Sequence, residues 1–200
     1  MNSKTLGLAL LLLLLLSAPL HAQHGGGGAA MPATTAPAEA RQFDFLIGQW
    51  ELDVRPKVSG LAAMIHGAPR LLGTWKAWRA FDGFGVQDEM RIVDASGNPK
   101  TLTSFQRVYA ESEKQWKISG LDVYRARYTN STARWQDGEM RVNGEGTDSE
   151  GKAYQSRTRY FEIGKDAFKM TQDRSYDQGT TWDEGVLAID AKRVSTTAPR

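Results

Sequence analysis

From Phe84 onward the chain alternates between apolar and polar positions. Phe84, Val86, Met90 and Ile92 share one face of Phe84–Val93, with Asp88 interrupting the row. In the next segment Leu102, Ser104, Gln106 and Val108 face one way, with Phe105 and Tyr109 opposite. Trp116 pairs with Ile118, and Met140 with Val142, at the same spacing. Phe168, Met170, Gln172, Arg174 and Tyr176 form one face of the ninth candidate strand. Trp182, Glu184, Val186 and Ala188 form one face of the tenth, with Leu187 and Ile189 on the other. A period of two belongs to strands with one face turned inward.

Turn chemistry separates these segments. Asp94-Ala95-Ser96-Gly97-Asn98-Pro99, Gln136-Asp137-Gly138, Asp148-Ser149-Glu150-Gly151 and Asp177-Gln178-Gly179 combine glycine with side chains that bond back to nearby backbone. Regularly spaced turns between short strands predict an all-β fold. Mostly short connections make neighbours antiparallel. A meander of about ten strands protects its edges by closing, so the pattern favours an up-and-down antiparallel β-barrel over a sandwich. Pro56 to Leu72 is too long for a hairpin and carries Leu61, Met64 and Ile65. It belongs at the barrel rim, either as a surface loop plugging one end or as a lid over a cavity.

The ends read differently. Residues 1–22 place Lys4 before a leucine run and then small residues up to Ala22, the order of a cleavable secretory signal peptide. Residues 23–40 are rich in Gly, Ala, Pro and Thr, the composition of a flexible tether. The domain is expected over 41–194, with 195–200 as a frayed tail. Export to the periplasm follows from this reading, with no stable membrane insertion after cleavage.

Composition narrows the chemistry. The 200 residues carry a net charge of +2 and no cysteine. Disulfide scaffolds, thiolate metal sites, cysteine nucleophiles and iron–sulfur clusters are therefore excluded. The charge balance lacks the basic excess of a nucleic-acid binder.

The string Phe43-Asp44-Phe45-Leu46-Ile47-Gly48-Gln49-Trp50 resembles the start of a family of secreted bacterial lipocalin-like (calycin) proteins of unknown function. Arg159–Ile163, Phe168–Met170 and Gln172–Trp182 resemble that family's closing hairpin. The resemblance implies a ten-stranded barrel with an internal cavity, and no activity. Gly48 in this motif permits close backbone approach, and Trp50 fills the closed end with one large ring.

Ser175, Asp177, Gly179, Thr181 and Trp182 also resemble an Asp-box, a structural hairpin staple. Heme would need a histidine on a strand, and outside residues 1–22 only His24 and His66 occur, one in the tether and one in the long connection. No Gly-x-Ser-x-Gly, His-Glu-x-x-His or Walker loop is present. No metal site and no cofactor is expected. Asp88, on the Val86–Met90 face, is the candidate inward carboxylate; the alternative is a charge near a strand end that meets water. Arg79, Arg157, Arg159 and Arg174 also lie on faces with apolar members: if those faces turn inward the arginines must be paired, hydrated or bound to an anion, and if they turn outward they make surface ion pairs. Gln172, Tyr176 and Trp75 complete the candidate ligand set.

Three readings follow. The favoured one is a binding protein for a small apolar or amphipathic ligand, acidic heads included, held inside the barrel. The second is a cavity enzyme using an inward arginine or carboxylate. The third is a ligand-free interaction module at the envelope. The first predicts a largely apolar cavity, the second a polar cluster with Asp88 beside an arginine, and the third no cavity.

Overall fold

The computed structural model describes residues 35–58 and 67–197. Its strands are β1 (Gly48–Pro56), β2 (Leu71–Ala80), β3 (Gly85–Asp94), β4 (Pro99–Ala110), β5 (Gln115–Asp122), β6 (Arg127–Gln136), β7 (Glu139–Thr147), β8 (Ala153–Phe161), β9 (Ala167–Ser175) and β10 (Asp183–Ser195). Each pairs antiparallel with the next, and β10 returns to pair with β1. The result is the closed up-and-down barrel that the alternation predicts. Leu61, Met64 and Ile65, residues 1–22 expected as a signal peptide and most of the 23–40 segment lie outside the described residues.

The barrel has a closed end, built by the segment just before β1. Two 3-10 turns, Ala38–Arg41 and Asp44–Leu46, lie across it. Phe43 and Leu46 lose all solvent exposure there. Phe43 meets the edge of Trp116 at 4.8 Å between ring centres, and Phe45 meets Phe168 at 5.6 Å. Trp50 donates its indole N–H to the Leu46 carbonyl at 2.7 Å, so the first inward ring of β1 also clasps the plug. Arg193 donates to the carbonyls of Ile47 and Phe45 and lies over the Trp50 ring at 3.9 Å. Gly48 takes φ +124°, and a Cβ there would stand 2.5 Å from the Ser195 carbonyl oxygen. Only glycine fits that conformation and that approach. The Gly-x-Trp motif is thus a closure device.

Two boundaries move. Ala38–Ala40 belong to the packed plug, because Ala40 is buried and its carbonyl accepts from Arg79 at 2.6 Å. Ser195 extends β10 opposite Gln49. In β10 the alternation is broken by a register shift between Asp183 and Leu187. Trp182 precedes the strand, and Leu187, Ile189 and Ala191 supply its inward face.

Side-chain size is distributed unevenly inside. The closed half holds Trp50, Trp75, Trp116, Met140, Tyr160 and Phe168, all buried. Toward the open half, the cavity wall contributed by β6–β8 has mostly small inward residues, Thr129, Ser131, Gly144, Gly146 and Ser156, beside Val142 and Tyr154. Large rings fill the closed end to the density of a protein core, while small residues leave the other half unfilled.

Candidate functional site

The unfilled half is a cavity of about 530 Å³ inside the barrel. That is room for one small ligand. Val54, Leu71, Met90, Ile92, Met170 and Leu187 line one side with hydrocarbon. A larger concavity, about 750 Å³, lies outside, across the outer faces of β4–β8. It is an open groove lined by exposed polar side chains such as Gln106, Asn130 and Asn143. The interior cavity is the better-defined site, because inward side chains from all ten strands converge on the barrel lumen.

At the bottom of the lumen sits a buried ion pair. Arg107 donates from Nε to Asp88 Oδ2 at 2.6 Å and from Nη2 to Oδ1 at 3.2 Å. Trp75 adds an indole N–H to Oδ1 at 2.8 Å. Asp88 is 0% and Arg107 2% exposed. Phe43 and Phe105 hold the guanidinium between their rings, 5.0 and 4.8 Å from their centres. Burial opposes the charge on Arg107 most strongly, yet Asp88, together with Tyr160, outweighs it and raises the guanidinium pKa. Burial pushes the neighbouring Tyr160 hydroxyl up, only partly offset by Arg107. Arg107, Trp75 and Tyr160 line the cavity floor; Asp88 lies behind them. Both carboxylate oxygens are occupied, so Asp88 is an anchor for Arg107 and not a free base.

Above this floor a second polar line climbs β8 and β9. Gln172 donates to Thr158 Oγ1 at 3.3 Å, and Arg174 donates from Nε to Gln172 Oε1 at 3.1 Å. The Arg174 guanidinium lies over the Tyr154 ring at 4.2 Å. Tyr154 pairs across the strands with Gly146, where an added Cβ would come within 2.6 Å of the ring. Gly146 is therefore the space in which Tyr154 lies.

The structure sorts the residues singled out by sequence. Trp75, Gln172 and Arg174 line the cavity. Arg157 and Arg159 do not; both project from the outer face of β8. Arg157 pairs with Asp173 at 3.2 Å and stacks on Trp182 at 3.8 Å. Arg159 pairs with Glu139 at 2.6 Å in the open. Their inward neighbours Tyr154, Ser156, Thr158 and Tyr160 take the interior instead. Arg79 is a latch at the closed end, holding Ala40 and Asp44 of the plug. Tyr176 lies beyond β9 and is 39% exposed, with its ring edge-on to Tyr154.

The Asp-box resemblance corresponds to a real staple. Gly179 N–H donates to Ser175 Oγ at 2.7 Å, Thr181 N–H and Oγ1 donate to the Asp177 carboxylate at 2.9 and 2.6 Å, and Trp182 donates to the Gly179 carbonyl at 3.1 Å. Among the described residues no three His, Asp or Glu side chains gather as a metal site requires, and no helix is long and apolar enough to cross a membrane. His66 lies outside the described residues.

Sequence reasoning missed Arg107. It shares the face of Phe105 and Tyr109, and that spacing was the signal available. What could not be read was which face of β4 turns inward.

No family model matches the chain, so the family suggested by the Phe43–Trp50 string is not established by such a match. No curated protein matches it either. Among solved structures the chain is similar to the S-type phycobiliprotein lyase CPES from Guillardia theta, with 10% identity and a TM-score of 0.49. The alignment covers 80% of this chain and 93% of that one. At that distance the likeness transfers no ligand and no activity.

Proposed function

We propose that this barrel binds one small apolar or amphipathic molecule in its lumen, acidic molecules included, and that the chain is exported to the periplasm to do so. The observation that carries the binding reading is the contrast within the lumen. The closed half is packed solid by rings, and the half beside β6–β8 is kept open by small inward residues. A barrel filled only for stability has no need of that asymmetry, since each unfilled volume costs stability. The hydrocarbon on the opposite wall suits an apolar body, and the polar lines at the floor and along β8–β9 suit one or two polar groups.

The enzyme reading expected Asp88 beside an arginine, and such a pair is present. Its carboxylate is already satisfied by three donors, which favours binding over acid–base chemistry.

Native mass spectrometry of the protein purified from its own host tests the reading. An adduct released on denaturation, and absent from Ser156→Phe, is expected, because a phenyl ring at that lining position occupies the cavity. A bare mass together with no uptake of any alkyl-chain probe overturns it. Export is checked separately, by finding the protein in the periplasmic fraction with its N-terminus near Gln23.

A further inference from the structure

The cavity is lined by five basic side chains: Lys100, Arg107, Arg125, Arg127 and Arg174. Three are neutralised by carboxylates. Arg107 is held by Asp88, Lys100 by Asp94 at 3.1 Å and Arg125 by Asp122 at 2.9 Å. Arg127 donates to the Asp148 carbonyl at 3.1 Å and forms no ion pair among the described residues. Arg174 likewise forms none there, and its one hydrogen bond goes to a neutral amide.

Arg174 also differs in how it is held. Its Nε is fixed by Gln172, which is itself fixed to Thr158, and its plane rests on Tyr154. These contacts leave the edge formed by Nη1 and Nη2 without an ion-pair partner, and that edge matches the two oxygens of a planar or tetrahedral anion. Asp122, Glu145 and Asp148 stand around the opening, and none forms an ion pair with Arg174; Glu145 also lines the outer groove. Asp148 Oδ1 accepts the N–H groups of Glu150 and Lys152, and Asp122 accepts from the Arg125 backbone and side chain. The Lys152 and Glu150 N–H groups hold the Asp148 carboxyl below its ordinary value, the Arg174 charge adds to this at a distance, and the two side chains form no ion pair.

The floor offers no equivalent. Arg107 is cancelled by Asp88 at contact distance, so the floor presents a neutral polar surface between aromatic rings. An anion driven to the floor would have to compete with Asp88 for a guanidinium that is already bidentate.

We infer that Arg174 is an anion seat, and that the ligand is an amphipathic acid bound with its apolar end toward the Trp75–Tyr160 floor and its head on Arg174. Ser156 is the partner of Arg174 across β8 and β9, and Tyr160 is the partner of Met170, so the seat lies four residues along the strand from the floor. This rests on the binding reading above and adds the class of ligand, its orientation and the residue that selects it.

The test compares dodecanoate, dodecanol and dodecyltrimethylammonium by isothermal titration, on the wild type and on Arg174→Gln and Arg127→Gln. The wild type is expected to bind dodecanoate at least tenfold tighter than dodecanol, with the cation weakest. Arg174→Gln is expected to bring dodecanoate down to the dodecanol affinity and leave dodecanol unchanged, with the circular dichroism spectrum intact. Arg127→Gln is expected to keep most of the preference. Equal binding of acid and alcohol by the wild type overturns the anion seat while leaving the cavity a binding site. A preference that survives Arg174→Gln but is lost in Arg127→Gln overturns the assignment to Arg174. Failure of all three chains to bind sinks the binding reading itself. Orientation is read from tryptophan quenching: 12-bromododecanoate should quench the buried Trp50, Trp75 and Trp116 more than 2-bromododecanoate does, and the opposite order overturns the tail-in arrangement.

Discussion

Asp88 and Arg107 form a bidentate ion pair, with 2.6 and 3.2 Å bonds, at a depth where neither side chain keeps more than 2% of its exposure. They come from adjacent strands, because Asp88 pairs in register with Phe105 and Val86 pairs with Arg107. The pair is diagonal across the ladder, and both members point into the lumen.

A buried pair is far more sensitive to losing one partner than to losing both. Asp88→Leu alone should cost about 3–5 kcal/mol, since it strands the Arg107 charge between Phe43 and Phe105. Asp88→Leu with Arg107→Met should recover most of that loss. Urea denaturation of the two single variants and the double variant measures the coupling; additive losses would mean that the pair is not a unit.

The plug makes its own prediction. Phe43 is fully buried against Trp116, Tyr160 and the Arg107 guanidinium. Phe43→Ala should destabilise by about 3–5 kcal/mol, the usual cost of deleting a buried aromatic ring. Phe45, only partly buried, should cost less when changed in the same way. Thermal melts of both variants, compared at equal protein concentration, settle the order.

Tyr160 sets a limit at high pH. Burial raises its pKa above the ordinary value of 10. The unfolded chain then releases the phenolic proton first, so the folded state binds more protons above pH 10. Stability from this group is complete below pH 10 and is lost as pH rises above it. Tyr160→Phe should flatten that alkaline decline in denaturation midpoints. It should also leave the ultraviolet titration of the other tyrosines unchanged.

Asp177 acts at the opposite extreme. Bonds from Thr181 side chain and backbone, then from Ser175, hold its carboxyl at about 2 instead of 3.8. Its contribution is present above pH 3.8 and is lost as pH falls toward 2. Carbon-13 titration of the Asp177 carboxyl should show the low midpoint, and Thr181→Ala should move it upward. A midpoint near 4 in the wild type would contradict the staple.

Gly146 makes room for Tyr154, a reason for glycine unrelated to backbone strain. A Cβ there meets the Tyr154 ring at 2.6 Å, so Gly146→Val must displace the ring that supports Arg174. The expected result is a stable barrel with weakened ligand uptake in the same mass-spectrometric assay. Unchanged uptake would separate the Tyr154 platform from binding.

Much of this architecture is legible along the chain because it is local. Alternation at period two marks the strands, and Gly/Asp/Asn clusters mark the turns between them. The Phe43–Trp50 string contains its own closure logic. Gly48 must approach Ser195, and Trp50 must reach back four residues to Leu46. The Ser175–Trp182 staple is local too, with its acceptors and donors within four residues of each other.

The interior was less legible, for a physical reason. Alternation says which side chains share a face but not which face turns inward, and a slip of one residue exchanges the two. On β8 both faces carry polar and aromatic residues, so nothing local distinguishes Arg157 and Arg159 from Tyr154, Ser156, Thr158 and Tyr160. Closure of the sheet made that choice, by setting β8 between β7 and β9 with the serine, threonine and tyrosines inward. The same closure brought Arg107 to Asp88 and left Arg174 with a neutral partner. The sequence by itself determined an all-β chain, its turns and the Gly48–Trp50 closure motif, and it singled out Asp88 on β3 without fixing the direction in which that side chain points. The tertiary structure decided which arginine is cancelled and which remains available. That difference depends on partners brought together by strand register, and register is a property of the closed barrel, not of any one strand.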